Sequence, residues 1–277
     1  MTDLSSTTAS NPFHILFLAD IIGSSGFEAV RRYLPEIRSR YGVHWTIANG
    51  ENLAHGKGLT PKTAEACFDI GIDVITSGNH VWNQKSILPV LDENPFVLRP
   101  LNYPPGCPGR GVCEFELEPG FPAAVLSLQG RSFMYPLDCP FRLAEETVQR
   151  LQSRGIRILL VDFHAEATAE KAALGLFLDG KVSAVIGTHT HVQTADERIL
   201  PKGTAFITDI GMSGPKDSVI GMDAETAILR FTTQMPVPYR VSSAESTCCG
   251  AVVRIDRSTG KALSISRFRW PNAVPAD

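Results

Sequence analysis

The stretch Val182-Ser-Ala-Val-Ile-Gly-Thr-His-Thr-His191 decides how this chain is read. Its first half is a short apolar run of the kind a buried strand uses. Its second half sets two imidazoles two residues apart where the run stops. In an extended segment such residues point the same way, so both rings can reach one small volume. Working outward, four more apolar runs stop in the same manner. HILFLAD (14–20) ends in Asp20, and HWTIANGEN (44–52) in Glu51 and Asn52. DVITSGNH (73–80) ends in Asn79 and His80, and RILLVDFH (157–164) in His164. In open α/β sheets ligands gather at the carboxyl ends of strands. Five strand ends that deliver Asp, Glu, Asn and His describe one cup of nitrogen and oxygen ligands, which core packing does not ask for.

The segments between these runs read as helices. Residues 24–41 carry Phe27, Val30, Leu34 and Ile37 at near-helical spacing. Thr60-Pro61 combines an N-cap residue with proline at the first helical position. Residues 141–154 are amphipathic and close at Gly155, and 169–178 end at Asp179-Gly180. Further strand runs fall at 123–130, 204–211, 251–256 and 262–268. Strands and helices alternate early and hairpin-like strands come late, which predicts an α/β fold with a mixed sheet or two packed sheets flanked by helices. The Pro- and Gly-rich segment 94–111 reads as an ordered surface loop. Residues 212–246, with one helix expected over 223–231, leave room for a small cap beside the cup. Residues 1–12 read as a disordered tail, and 13–277 as one domain.

Composition removes several classes of function. The chain has 277 residues, 43% of them hydrophobic, and a formal net charge of −3. Its mean hydropathy is +0.01 and its pI about 6.2. No basic excess supports tight binding to long nucleic acid. A small phosphate ester remains open, because metal ions can supply positive charge locally. No apolar run reaches the length of a membrane span, and the N-terminus lacks the basic and apolar regions of a signal peptide. The six cysteines show no CxxC or zinc-finger spacing, so they read as reduced thiols of a cytoplasmic protein.

Each candidate ligand also has an ordinary structural role. Asp20 can cap the helix that follows it, Asn79 can shape a turn, and His164 can be a core histidine. Taken together they point to metal, and the count favours two ions. A single catalytic zinc uses three protein ligands and water. Here there are about seven candidates, two of them carboxylates, and one carboxylate can bridge ions about 3.5–4 Å apart. Imidazole, carboxylate and amide without cysteine suit iron or manganese, with zinc also compatible.

These residues recur in characteristic stretches: Ile47-Ala48-Asn49-Gly50-Glu51-Asn52 onward, SGNHVWN (77–83), LQGRSF (128–133), VDFHAEATAEKAALG (161–175), 185–215 (VIGTHTH through GMSGP) and GMD (221–223). In this order they resemble the calcineurin-like metallophosphoesterases, whose pattern runs D-x-H, G-D, G-N-H-[DE], H, G-H-x-H. They are most similar to the branch of YmdB-type phosphodiesterases, over about residues 14–268. Ile22 stands where the wider superfamily has His, Glu51 where it has Asp, and Val81 where it has an acidic residue. The branch shares all three departures.

The resemblance implies a four-layer α/β/β/α sandwich. It implies one ion on Asp20, Glu51, Asn52 and His191, and another on Glu51, Asn79, His164 and His189, with Glu51 as the bridge. His80 faces the substrate as proton donor. The implied reaction is hydrolysis of 2′,3′-cyclic nucleoside monophosphates to 3′-nucleotides, by hydroxide formed between the ions and in-line attack at phosphorus. Relatives of this type form homo-oligomers, so self-association is a further expectation. The rival readings are a phosphomonoesterase or 5′-nucleotidase with the same cup, and a metal-bound regulatory protein with vestigial catalysis. Lys57, His55, Arg131 and residues 212–215 are candidates for the pocket wall. Asp162, Thr188 and Asp209 are candidates for orienting the imidazoles. His14 and His44 read as structural.

Overall fold

Each apolar run forms a strand, and the residue types that stop it mark where the strand leaves the sheet. The computed structural model describes residues 11–238 and 240–271. In chain order the strands are β1 (Phe13–Leu18), β2 (Asp20–Ile21), β3 (Trp45–Asn49), β4 (Val74–Thr76), β5 (Val112–Glu116), β6 (Pro122–Gln129), β7 (Ile158–His164), β8 (Ala184–Thr188), β9 (Arg198–Ile199), β10 (Ala205–Ile207), β11 (Met212–Pro215), β12 (Ser246–Ile255) and β13 (Ala262–Trp270). The helices are α1 (Gly23–Tyr41), α2 (Pro61–Asp69), α3 (Leu88–Glu93), α4 (Pro140–Ser153), α5 (Thr168–Phe177) and α6 (Ala224–Thr233).

Two sheets result. One runs β2-β11-β12-β1-β3-β4, with β13 also paired to β12; the other runs β5-β6-β7-β8-β10-β9. Within the first, β1, β3 and β4 are parallel. Within the second, β6, β7, β8 and β10 are parallel. Parallel strands buried on both faces read as continuous apolar runs rather than alternation, as β7 (ILLVDFH, buried throughout) shows. Phe17, Ile47 and Val74 of one sheet pack against Val125, Leu160 and Ile186 of the other. The outer face of the first sheet buries Val30, Leu34 and Ile37 of α1 together with Ala64 and Cys67 of α2. The outer face of the second buries Ala144, Val148 and Leu151 of α4 together with Leu174 of α5. The four layers are therefore α/β/β/α, as expected.

Local chemistry explains the boundaries. Thr60 caps α2 by accepting from Thr63 N at 3.2 Å, and Thr63 Oγ1 accepts in return from Thr60 N. The late hairpin β12–β13 is antiparallel from Cys248↔Trp270 to Ile255↔Ala262. Its turn is held by Asp256 Oδ1, which accepts from the Ser258 and Thr259 amides. The expected tail lies outside the described residues except for Asn11 and Pro12.

One expectation holds only in part. In segment 94–111 the first half is not a surface loop: Val97, Leu98 and Asn102 are buried, and single bridges pair Ile75 with Val97 and Leu98 with Arg110. It straps β4 to β6, with Leu101 N donating to Ser127 O at 2.8 Å and Ser127 N to Gly111 O at 3.0 Å. The Arg99 guanidinium satisfies the carbonyls of Pro100 and Pro108 within the strap. Residues 97–102 are thus largely buried, while 104–106 and 110 stay exposed as a surface loop.

Candidate metal centre

The carboxyl ends of β1, β3 and β4 in one sheet face those of β7 and β8 in the other, so the ligand candidates meet across the sandwich. His164 is fully buried at the end of β7. Around its Nε2 stand Glu51 Oε1 at 3.0 Å, Asn79 Oδ1 at 3.1 Å and His189 Nδ1 at 2.9 Å. One ring nitrogen cannot satisfy three such neighbours. The other ring nitrogen, Nδ1, lies 3.0 Å from Thr188 Oγ1, and that hydroxyl donates to Asp162 Oδ1 at 2.7 Å. With its own proton committed to Asp162, Thr188 accepts from Nδ1, which leaves the Nε2 lone pair facing the cluster. Gly78 is obligatory here, since a Cβ would lie 2.0 Å from the His164 ring.

The second group lies beside the first. Asp20 is completely buried, and neither of its oxygens has a hydrogen-bond partner. His191 Nε2 lies 3.3 Å from Asp20 Oδ2 and 3.3 Å from Asn52 Nδ2. A flip of that carboxamide presents its oxygen to the same point. His191 Nδ1 is tied to Ile220 O at 2.8 Å, so this ring too turns its free lone pair inward. Asp20 is not a helix cap: the N-cap of α1 is Ile22, without a side-chain cap bond. A buried carboxylate with one imidazole 3.3 Å away and no hydrogen bond to either oxygen is under-satisfied, at a cost of several kcal/mol. A cation seated between Asp20, Asn52 and His191 removes that cost.

Electrostatics point the same way. Burial alone would raise the pKa of Glu51, but the imidazole of His164 and the His80 amide hold it well below the usual carboxylate range. Burial would lower His164, yet Glu51, Asp20 and Asp162 raise it, so that without metal a proton sits where a cation fits. Burial and the neighbouring His164 push His189 down to about 3, which keeps it neutral as a ligand must be.

The HxH pair differs from its expected geometry. β8 stops at Thr188, and His189 and His191 both take positive φ (103° and 63°). The rings therefore diverge, His189 towards Glu51 and His164, His191 towards Asp20. Between them Thr190 is pinned by Asp209 Oδ2, which accepts from its amide at 3.0 Å and its hydroxyl at 2.8 Å. Asp209 is itself paired at 2.7 Å with Lys171 of α5, and both are buried. Asp162 and Asp209 thus act through Thr188 and Thr190, and touch no ligand imidazole.

His80 does not join either group. Its amide donates to Glu51 Oε2 at 3.1 Å, and its ring lies beside Asn83. It lines a cavity of about 240 Å³ with Glu51, Lys57, Glu166, His189 and His191. His55 is exposed, Arg131 uses its amide to bind Glu170, and residues 212–215 form β11 beside β2. Sequence reading missed Glu166, whose Oε2 lies 3.1 Å from His189 Nε2, and Lys171. Glu166 falls two residues after His164 in a loop, and Lys171 looks like any helical surface lysine; neither offers a pattern. Among the described residues, Glu51, His164 and His189 place ligand atoms within 4.8 Å of one another.

The profile of a family described as YmdB-like protein matches residues 16–268. A 2′,3′-cyclic-nucleotide 2′-phosphodiesterase of Bacillus subtilis is 50% identical over 254 residues, covering 92% of this chain and 96% of that protein. The crystal structure of a novel phosphatase of Mycoplasma pneumoniae is 35% identical, with a TM-score of 0.88 over 94% of this chain and 93% of the other. A 5′-nucleotidase precursor of Thermus thermophilus shares the fold at 10% identity and a TM-score of 0.57, over 93% of this chain and 54% of its own. With two sheets whose facing strand ends carry this set of side chains, and a match along nearly its whole length, the chain belongs to the YmdB-like family.

Proposed function

We propose that the chain is a two-metal phosphodiesterase that opens 2′,3′-cyclic nucleoside monophosphates to 3′-nucleotides. It is an enzyme of the phosphoric diester hydrolase class, the class named for its relative of 50% identity. The observation that carries the metal reading is the buried Asp20 carboxylate, which has His191 at 3.3 Å and no hydrogen bond to either oxygen, beside imidazoles whose outer nitrogens are tied down. Asp20, Glu51, Asn52 and His191 would hold one ion, and Glu51, Asn79, His164 and His189 the other. Glu51 would be shared by the two. The oxygen and nitrogen donors suit iron or manganese, and zinc as well. Glu166 would orient His189 from outside, as carboxylates commonly do for ligand imidazoles. A small cap would lie within 212–246, between β11 and β12, where Ile220 O holds His191 Nδ1 at 2.8 Å.

When bound, two such ions acidify a water and offset charge on phosphate oxygens. The residues of the chain do the rest. The cup orients the phosphate so that the water approaches opposite the 2′-oxygen. His80, at the wall of the same cavity and held by Glu51 through its backbone, donates the proton that the departing 2′-oxygen needs. Lys57 faces the same space and adds positive charge at the mouth.

The test is hydrolysis of 2′,3′-cyclic AMP against simple phosphate monoesters by the metal-loaded protein. Faster ring opening is expected; faster release of phosphate from monoesters supports the phosphomonoesterase reading instead. His80→Gln should keep its metals and lose about 10²–10⁴-fold in turnover. Loss of metal in that variant contradicts the assigned role.

A further inference from the structure

The metal groups explain how a phosphate is gripped but not what receives the rest of a nucleotide. Beside the cup lies a second cleft of about 500 Å³, lined by Asn79, Phe133, Met134, Tyr135, Pro136 and His189. It opens directly onto the metal centre, because Asn79 and His189 belong to both. Its walls carry the two most exposed aromatic rings among the described residues, Phe133 at 93% and Tyr135 at 79% relative exposure. Exposed aromatics of this size are usually found where something covers them.

The loop that bears them is anchored at both ends. At its start, Glu170 of α5 accepts from the amides of Arg131 and Ser132 at 3.0 Å. Buried Asn102 ties the start to the end: its Nδ2 donates to Gln129 O at 2.8 Å and to Asp138 O at 3.1 Å. Between these anchors Phe133 holds a φ of 61°, a left-handed conformation that bulky residues rarely adopt. A fixed loop that carries strain in order to present a ring to solvent is a feature found at binding sites.

We propose that Phe133 and Tyr135 form the seat for the nucleobase of the substrate, with the phosphate in the metal cup. This rests on the diesterase reading above. Stacking on aromatic rings tolerates any base, because every base has a π-face. The cleft offers few hydrogen-bonding side chains for discrimination, so purine and pyrimidine cyclic nucleotides are both accepted, with purines favoured by their larger face.

The test compares the metal-loaded wild type with Phe133→Ala, Tyr135→Ala and Phe133→Trp, on 2′,3′-cyclic AMP and on glycerol 1,2-cyclic phosphate, which has the same five-membered ring and no base. Each alanine variant is expected to raise KM for the cyclic nucleotide about 5- to 100-fold, with little change in kcat. The tryptophan variant should restore KM, and the base-free diester should not distinguish the proteins. Equal losses on both diesters, an unchanged KM, or a change in oligomeric mass without a change in KM would overturn the proposal while leaving the diesterase reading intact. A wild type that opens neither diester overturns the diesterase reading and this seat with it.

Discussion

Asp20 shows most directly how function is written against stability. Its two oxygens are buried without a hydrogen-bond partner, an arrangement that folding alone does not favour. Asp20→Asn should therefore melt higher than the parent when both are stripped of metal, by about 1–3 kcal/mol, and should retain less metal after purification. Thermal melts in chelator with metal analysis check both, and a lower melting point of the stripped variant contradicts the argument. His44 carries an ordinary structural role with a pH consequence. Its Nδ1 accepts from His14 N at 3.1 Å, which the imidazolium cannot do. Burial, then the charges of His14 and Arg257, lower its pKa, while Glu118 opposes them. A lowered folded pKa means the native state binds the proton less well than the unfolded chain. Stability is thus intact above the ordinary value of 6.5 and falls as the pH drops through it. His44→Gln should flatten the melting temperature between roughly pH 7 and 5; the same slope as wild type would refute the role.

At the scale of elements, the turns after β4 and β8 decide whether the ligands meet. Gly78→Ala places a methyl 2.0 Å from His164, so the β4 turn must shift. The expected outcome is a folded protein with sharply reduced metal content; normal metal binding contradicts it. Lys171 braces the β8 turn through Asp209 and Thr190. Lys171→Met leaves a buried carboxylate uncompensated and should cost about 3–5 kcal/mol in urea unfolding. Lys171→Met with Asp209→Asn should recover part of that loss, since the uncharged amide oxygen can still accept from Thr190; no recovery would show that the uncompensated charge does not carry the effect. These elements also mark where sequence reading stops. That Asp20, Glu51, Asn79, His164 and His191 gather at one end of the two sheets was legible because polar side chains at the ends of apolar strands have no packing role. Lys171 and Glu166 were not, because a lysine on a helix and a glutamate in a loop carry no local pattern. The bend at His189 was also hidden, since period-two spacing fits both a strand and this turn. Short β2 and β11 escaped because two residues carry no periodicity and four with glycine and proline read as turn.

For the whole molecule, the alternation of apolar runs and helices was enough to give two sheets between helices, because parallel strands buried on both faces are continuous apolar runs. The strap 94–111 was not, because its burial depends on β4 and β6 being neighbours in space. The cup draws its side chains from both sheets, so metal bound there as proposed would clamp the two halves of the sandwich at one end. Saturating metal should raise the unfolding free energy, by about 2.7 kcal/mol at a hundred times the dissociation constant. A melting temperature that does not respond to chelator would show that the ions do not bridge the sheets. The central claim is that one cluster built on Glu51 holds two ions. Elemental analysis of the protein purified with manganese or iron measures it directly. Two ions per chain are expected in the wild type and less than one in Glu51→Gln. A single ion in the wild type, or two retained in the variant, would contradict it.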